Sequence, residues 1–275
     1  MPPRPTAITQ LAALGIHPRK SLGQNFLVDP IHRDRIVDAA RLSAPDVVLE
    51  VGPGPGVLTD LLASQAGRVL AVELDERLIP FLRQRFASQP HVSIIQGDIL
   101  KLDPGRLTDG GSYKVVANLP YYITGSVLRH FLEAKPPPQL MVLTVQKEVA
   151  ERMVARPPDM SLLAVSVQYY ASVAVVAEIP ANAFYPVPKV DSAVVRIELR
   201  AEPEARGVDE GVFFRIVKAG FCQPRKQLRN SLAAGLGVPP AQAATWLMAA
   251  GIDPHRRAET LELSEWGALA RVASA

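Results

Sequence analysis

Asp46-Val47-Val48-Leu49-Glu50-Val51-Gly52-Pro53-Gly54-Pro55-Gly56-Val57 is the stretch that decides how this chain folds. Asp46 to Glu50 reads as a short buried strand, and Val57 to Ala66 as the helix after a glycine-rich turn. Glycines at alternate positions leave the backbone bare, so a ligand can press against it. The spacing is not the dinucleotide fingerprint, because after Gly52 and Gly54 the third glycine is Gly56 and position 57 is Val. A loop that accepts a nucleoside with an amino-acid arm fits better than one that cradles a pyrophosphate. The bland alternative is a tight strand-to-helix turn with no ligand.

Outward from this turn, the pattern alternates. Arg68 to Leu74 reads as a second strand, Glu76 to Ser88 as helical, Val92 to Gln96 as a third strand and Lys114 to Ala117 as a fourth. Gly125 to Ala134 looks helical and Leu140 to Val145 forms a fifth strand. Strands alternating with helices predict an α/β fold, a mostly parallel Rossmann-like sheet with helices on both faces. Ser172 to Ile179 and Ser192 to Leu199 are closer together and predict an antiparallel pair at one edge. Ala201 to Gly207 reads as a linker, and beyond it come only helical patterns broken at Gly220, Pro224, Gly235 to Pro240 and Gly251 to Pro254. The expected division is therefore residues 1–200 as a ligand-binding catalytic domain and 201–275 as a small all-helical domain.

Three polar residues end successive strands. Glu73 closes the second, where an acid can accept from two ribose hydroxyls. Asp98 follows the third and can accept from an adenine amino group. Asn118-Leu119-Pro120-Tyr121 closes the fourth: an amide acceptor, a stiff turn and an aromatic face suit a flat base with an exocyclic amine. Each alone is commonplace. Together with the glycine turn they define one crevice at the switch point of the sheet.

Composition narrows the class. The chain has 275 residues, 48% hydrophobic and 21% charged, as in soluble globular proteins with one sizeable core and a smaller unit. No apolar run approaches a membrane span, and Met1-Pro2-Pro3-Arg4 lacks the apolar stretch of a signal peptide. A cytoplasmic, bacterial-type protein with no membrane partner is expected. An organelle transit peptide is the alternative, since the segment to Val28 holds Arg4, Arg19 and Lys20 and no acid. Cys222 is the only cysteine and the five histidines are scattered, so neither a disulfide nor a metal is expected. Nothing in the pattern calls for a coiled coil, and a monomer is expected. The net charge of +3 is small, but Phe213 to Ser231 contains Arg215, Lys218, Arg225, Lys226 and Arg229 with no acid. That tract is either a solvated helix face or a phosphate-binding surface.

The glycine loop, Glu73, Asp98 and Asn118-Leu119-Pro120-Tyr121 together resemble the class I S-adenosylmethionine-dependent adenine-N6 methyltransferases. Ser21-Leu22-Gly23-Gln24-Asn25-Phe26-Leu27 is similar to the amino-terminal signature of the ribosomal RNA adenine dimethyltransferases. Phe184-Tyr185-Pro186-Val187-Pro188-Lys189-Val190-Asp191-Ser192 matches their late motif Phe-x-Pro-x-Pro-x-Val-x-Ser. Gly220 to Leu232 resembles the basic motif of the small-subunit, kasugamycin-sensitivity branch, with Pro224 standing where that branch more usually has Arg. The resemblance runs from about Ser21 to the last helices.

The resemblance implies S-adenosyl-L-methionine as cofactor, held by Asn25, Leu27, Gly52, Gly54, Glu73, Asp98 and Asn118. It implies catalysis by Asn118, Leu119, Pro120 and Tyr121, with Phe184 holding the target base against Tyr121. Arg225, Lys226 and Arg229 would bind RNA. The implied reaction is N6,N6-dimethylation of two adjacent adenosines in the 3′-terminal hairpin loop of 16S rRNA, within a small ribosomal subunit or its precursor. The alternatives are the large-subunit (23S) branch and a non-catalytic RNA-binding or assembly factor on the same scaffold. The tract from Gly220 favours the small subunit, and the intact glycine loop and tetrapeptide favour an enzyme.

Overall fold

The computed structural model describes residues 7–202 and 207–274; the opening Met1-Pro2-Pro3-Arg4 and residues 203–206 of the expected linker lie outside them. The strands are β1 (Phe26–Leu27), β2 (Val47–Val51), β3 (Arg68–Glu73), β4 (Val92–Gln96), β5 (Lys114–Asn118), β6 (Leu140–Gln146), β7 (Ala171–Ile179), β8 (Phe184–Tyr185) and β9 (Ser192–Leu199). Seven of them form one sheet in the order β4-β3-β2-β5-β6-β9-β7, while β1 and β8 make a separate antiparallel pair. The first five strands in that order are parallel, and β9 is antiparallel to β6. The two late strands lie side by side at one edge as expected, with β9 joining them to the parallel set.

A parallel strand covered on both faces needs an unbroken apolar run. β5 shows it: Val115, Val116 and Ala117 are all fully buried. On one side of β2 the chain winds outward through β3 and β4, then returns to β5 on the other. The register aligns their carboxyl ends, with Val51 opposite both Val72 and Ala117, and Glu73 opposite Gln96. Residues leaving β2, β3, β4 and β5 therefore open into one crevice at the switch point.

By compactness the chain divides into Met1–Ala150 with Ala174–Leu199, and Glu151–Val173 with Arg200–Ala275. The second unit thus takes in Glu151–Val173, which the sequence pattern assigns to residues 1–200. The cause is packing. Helix Leu162–Tyr170 puts Ala164, Val165 and Tyr169 into one apolar cluster with Phe213, Leu228 and Trp266. Tyr169 stacks on Phe213 with ring centroids 4.5 Å apart.

Gly220, in helix Glu210–Phe221, is set by this core: a Cβ there would lie 2.3 Å from Cη2 of Trp266, which is fully buried. Alanine is worth up to about 1 kcal/mol over glycine in a helix, but overpacking costs about 1–3 kcal/mol. Gly220→Ala should therefore lower unfolding stability by about 1–2 kcal/mol. An unchanged denaturant midpoint would show that Trp266 has room to move.

Candidate active site

A cavity of ≈ 310 Å³ opens at the switch point, and Asn25, Gly52, Glu73, Asp98, Asn118 and Tyr121 are among the residues that line it. The three glycines of the turn have different duties. Gly52 is left-handed (φ +69°), and a Cβ on it would meet nothing within 4 Å, so its bare backbone faces open space. At Gly54 a Cβ would sit 2.9 Å from the Phe26 ring, and at Gly56 2.9 Å from the Phe86 ring. Both are also left-handed (φ +56° and +79°), so backbone and packed rings together require glycine there. Of the three, open space lies over Gly52, although Gly54 also lines the cavity.

Glu73 is 5% exposed, and both of its oxygens accept backbone hydrogen bonds: Oε2 from Gly54 N at 3.0 Å and Oε1 from Asp75 N at 2.8 Å. Burial pushes its pKa up and the backbone donors pull it back, leaving it above the ordinary value. Each oxygen keeps a lone pair for a further donor, which suits a pair of hydroxyls. Asp98 caps the turn that follows it, its Oδ1 accepting from Leu100 N at 3.1 Å.

The amide of Asn118 is held in one orientation. Its Nδ2 donates to the backbone carbonyl of Asn25 at 3.0 Å, which leaves Oδ1 as the free acceptor. Leu119 N donates to Thr144 O at 3.3 Å, fixing the turn, and among the described residues the Leu119 carbonyl accepts no hydrogen bond. Two adjacent residues thus each keep a neutral acceptor free. The Tyr121 hydroxyl is hydrogen-bonded to Ser192 Oγ at 2.8 Å. Burial raises its pKa above the ordinary phenol value, so it stays neutral.

Two expected site residues are placed otherwise. Phe184 is 2% exposed and belongs to the apolar cluster of Leu27, Ile36, Val116 and Val194, so it does not line the cavity. The strand alternation of β8 explains this: Phe184 points inward opposite Leu27, and Tyr185 points outward, 49% exposed. The expected sandwich of a base between Tyr121 and Phe184 is therefore corrected for this conformation. Leu27 is buried too, and borders a small pocket of ≈ 20 Å³ beside Gly52 and Asn118.

Sequence reasoning places Asn25 at the site but does not reveal that its backbone carbonyl orients Asn118; the Gln24–Asp75 contact and Glu50 it misses. Gln24 and Asp75 meet across 51 positions of chain, beyond any local pattern. Glu50 is 1% exposed, and burial raises its pKa to about 8; Thr59 Oγ1 donates to its Oε2 at 2.6 Å. Among the described residues no His, Cys, Asp and Glu gather into a metal-holding group.

In the helical unit, Arg225 and Lys226 are exposed in the turn before helix Leu228–Leu236, and Arg229 is half-exposed on it. None of the three makes an ion pair among the described residues. The turn is braced by Ser231 Oγ, which donates to Gln223 O at 2.9 Å and accepts from Gln223 N at 3.2 Å. The cations are thus presented on a fixed backbone.

A switch-point crevice of this strand order, floored by a bare glycine and edged by Glu73 at the end of β3, Asp98 after β4 and Asn118 at the end of β5, defines a class I methyltransferase. The family described as Ribosomal RNA adenine dimethylase matches residues 16–273. The chain belongs to that family of enzymes. It is 49% identical over 255 residues to a Ribosomal RNA small subunit methyltransferase A of Dehalococcoides mccartyi, covering 92% of this chain and 88% of that protein. Among solved structures, a dimethyladenosine transferase from Plasmodium falciparum superposes with a TM-score of 0.78 at 25% identity, covering 89% of this chain and 95% of that one. The 23S rRNA methyltransferase ErmE gives 0.73 at 28% identity, covering 91% and 100%.

The raised pKa of Glu50 has a stability consequence. Its proton is retained in the folded chain but lost in the unfolded chain above pH 4.5, so stability falls as pH rises from about 4.5 through 8. Glu50→Gln should remove this slope and match or exceed the native melting temperature at pH 8. Parallel pH profiles of the two proteins would assign the slope to other groups.

Proposed function

We propose that this protein dimethylates N6 of two adjacent adenosines in the 3′-terminal hairpin loop of 16S rRNA, using S-adenosyl-L-methionine. It would act in the cytoplasm as a monomer on a small ribosomal subunit or its precursor. Among the described residues no helix is long and apolar enough to cross a membrane. The observation that carries the chemistry is the Asn118 amide, pinned through Nδ2 by Asn25 with Oδ1 left free, on a residue that lines the cavity next to Leu119.

The cavity fits the cofactor. Open space over Gly52 can take a methionine arm, the remaining lone pairs of Glu73 two ribose hydroxyls, and Asp98 an adenine amine. The bound cofactor supplies a methyl group already activated on sulfonium. The protein's task is then alignment. Adenine N6 is a weak nucleophile because its lone pair is delocalised into the ring. Asn118 Oδ1 and the Leu119 carbonyl accept hydrogen bonds from its two N–H groups and draw the nitrogen toward a pyramidal shape, which aims the lone pair at the methyl. No strong base is needed, since the methylated nitrogen is acidic enough to release its proton to solvent.

The base must leave its stack at a cost of a few kcal/mol, less in a loop. With Phe184 buried, the Tyr121 ring is the aromatic surface at the tetrapeptide, and one stacking contact contributes about 1–3 kcal/mol. The two are comparable. The small-subunit target is favoured over the large because the small-subunit relative is 49% identical and the 23S enzyme 28%.

Asn118→Ala should abolish methyl transfer to undermethylated small subunits while changing cofactor affinity only modestly. Near-normal turnover, read by mass spectrometry of the modified bases, would sink the assigned role. Neutralising Arg225, Lys226 and Arg229 together should weaken RNA binding and flatten its salt dependence by roughly 0.7 for each phosphate of single-stranded RNA that is no longer neutralised. An unchanged slope would return the tract to a solvated surface.

A further inference from the structure

Residues 17–25 run between two apolar anchors. Ile16 and Phe26 both pack on the cluster of Leu78, Phe81, Leu82 and Phe86. Between those anchors the segment is held by a polar clamp centred on Asp75. Gln24 Nε2 donates to Asp75 Oδ2 at 3.0 Å, and Gln24 Oε1 accepts from Arg19 N at 2.7 Å. Arg77 grips the same carboxylate, Nη2 to Oδ2 at 2.6 Å and Nε to Oδ1 at 2.9 Å, and its Nη2 also donates to the His17 carbonyl at 3.3 Å. The Asp75 side chain is wholly buried. Burial alone would raise its pKa, yet the bonds from Arg77 and Gln24 hold it below the ordinary carboxylate value. It is therefore ionised, and every strong acceptor position is used.

The held segment is the one that finishes the cavity. Gly23 lies so close to the tetrapeptide turn that a Cβ on it would sit 3.0 Å from Tyr122 and 3.2 Å from Pro120. The Asn25 carbonyl orients the Asn118 amide. At its other face, Asp75 N donates to Glu73 Oε1. One residue outside the cavity lining thus connects the acid proposed for the ribose, the covering segment and the catalytic amide.

We propose that Asp75 is a positioning residue for methyl transfer: through Gln24 and Arg77 it fixes residues 17–25, and through them the orientation of Asn118. It is buried and does not line the cavity. This rests on the reading of the cavity as a methyl-donor site, but its first test needs no ligand. Arg19 and Lys20 are exposed and lie within the clamped segment. Gln24→Ala and Asp75→Ala should each speed trypsin cleavage after Arg19 or Lys20 by about tenfold, the size of one hydrogen bond to a charged group.

Each variant should also weaken binding of S-adenosylhomocysteine by about tenfold and lower kcat several-fold. Because the two variants share the Gln24–Asp75 hydrogen bond, although each also loses a contact of its own, the double variant should fall short of the product of the two single effects. Gln24→Ala removes only the segment's half of the clamp, so it decides the matter even if Asp75→Ala does not fold. Unchanged cleavage, effects that multiply toward a hundredfold, or faster cleavage with normal binding and turnover would each overturn the assignment. If the native protein failed to bind S-adenosylhomocysteine, the cavity reading would fall while the cleavage result still judged the clamp.

Discussion

The structure depends on one buried carboxylate. Glu73 ends β3, is almost fully enclosed, and accepts a backbone N–H from the glycine turn on one oxygen and from Asp75 on the other. Leaving such a group unpaired in the interior would cost several kcal/mol. Paired, it locks the turn after β2 to the end of β3 and keeps the bare backbone of Gly52 open. Each oxygen keeps a lone pair free on a residue that lines the cavity, so the glycine turn and the cavity wall share one carboxylate.

Parallel pairing does the rest of the assembly. Gly52, Glu73, Asp98 and Asn118 are scattered over the chain, but each follows or ends a neighbouring strand. This part was legible in the sequence because β-branched runs and the residues that end them are local signals. The late motif was harder. Phe184 reads as a pocket ring from its polar, proline-rich surroundings, yet a two-residue strand puts alternate side chains on opposite sides, and pairing with Leu27 decides that Phe184 is the buried one. No single-sequence pattern carries that register.

The division into units was half legible for the same reason. The change of composition after Arg200 is local and visible. That helix Leu162–Tyr170 joins the later helices is not, because it depends on Tyr169 meeting Phe213 across more than forty residues. The Gln24–Asp75 hydrogen bond is equally invisible. Local signals show what a strand or turn is; long-range packing decides which residues support it.

Dimethylation adds a demand that a single transfer does not. The first methyl removes one N6 proton, so in the second step one of the two acceptors must face a methyl group or a gap. If that acceptor were an ionised carboxylate, the missing donor would leave a buried charge uncompensated, at a cost of about 3–5 kcal/mol. A neutral carbonyl or amide oxygen left without a donor costs about 1–3 kcal/mol. Asn118 Oδ1 and the Leu119 carbonyl are both neutral, and the amide is held by Asn25 rather than by the substrate. In the proposed mechanism the orientation of the amide therefore survives the departure of one proton. The acids of the site stand apart from this step: Glu73 is committed to the glycine turn, Asp75 to the covering segment, and Glu50 keeps its proton at neutral pH.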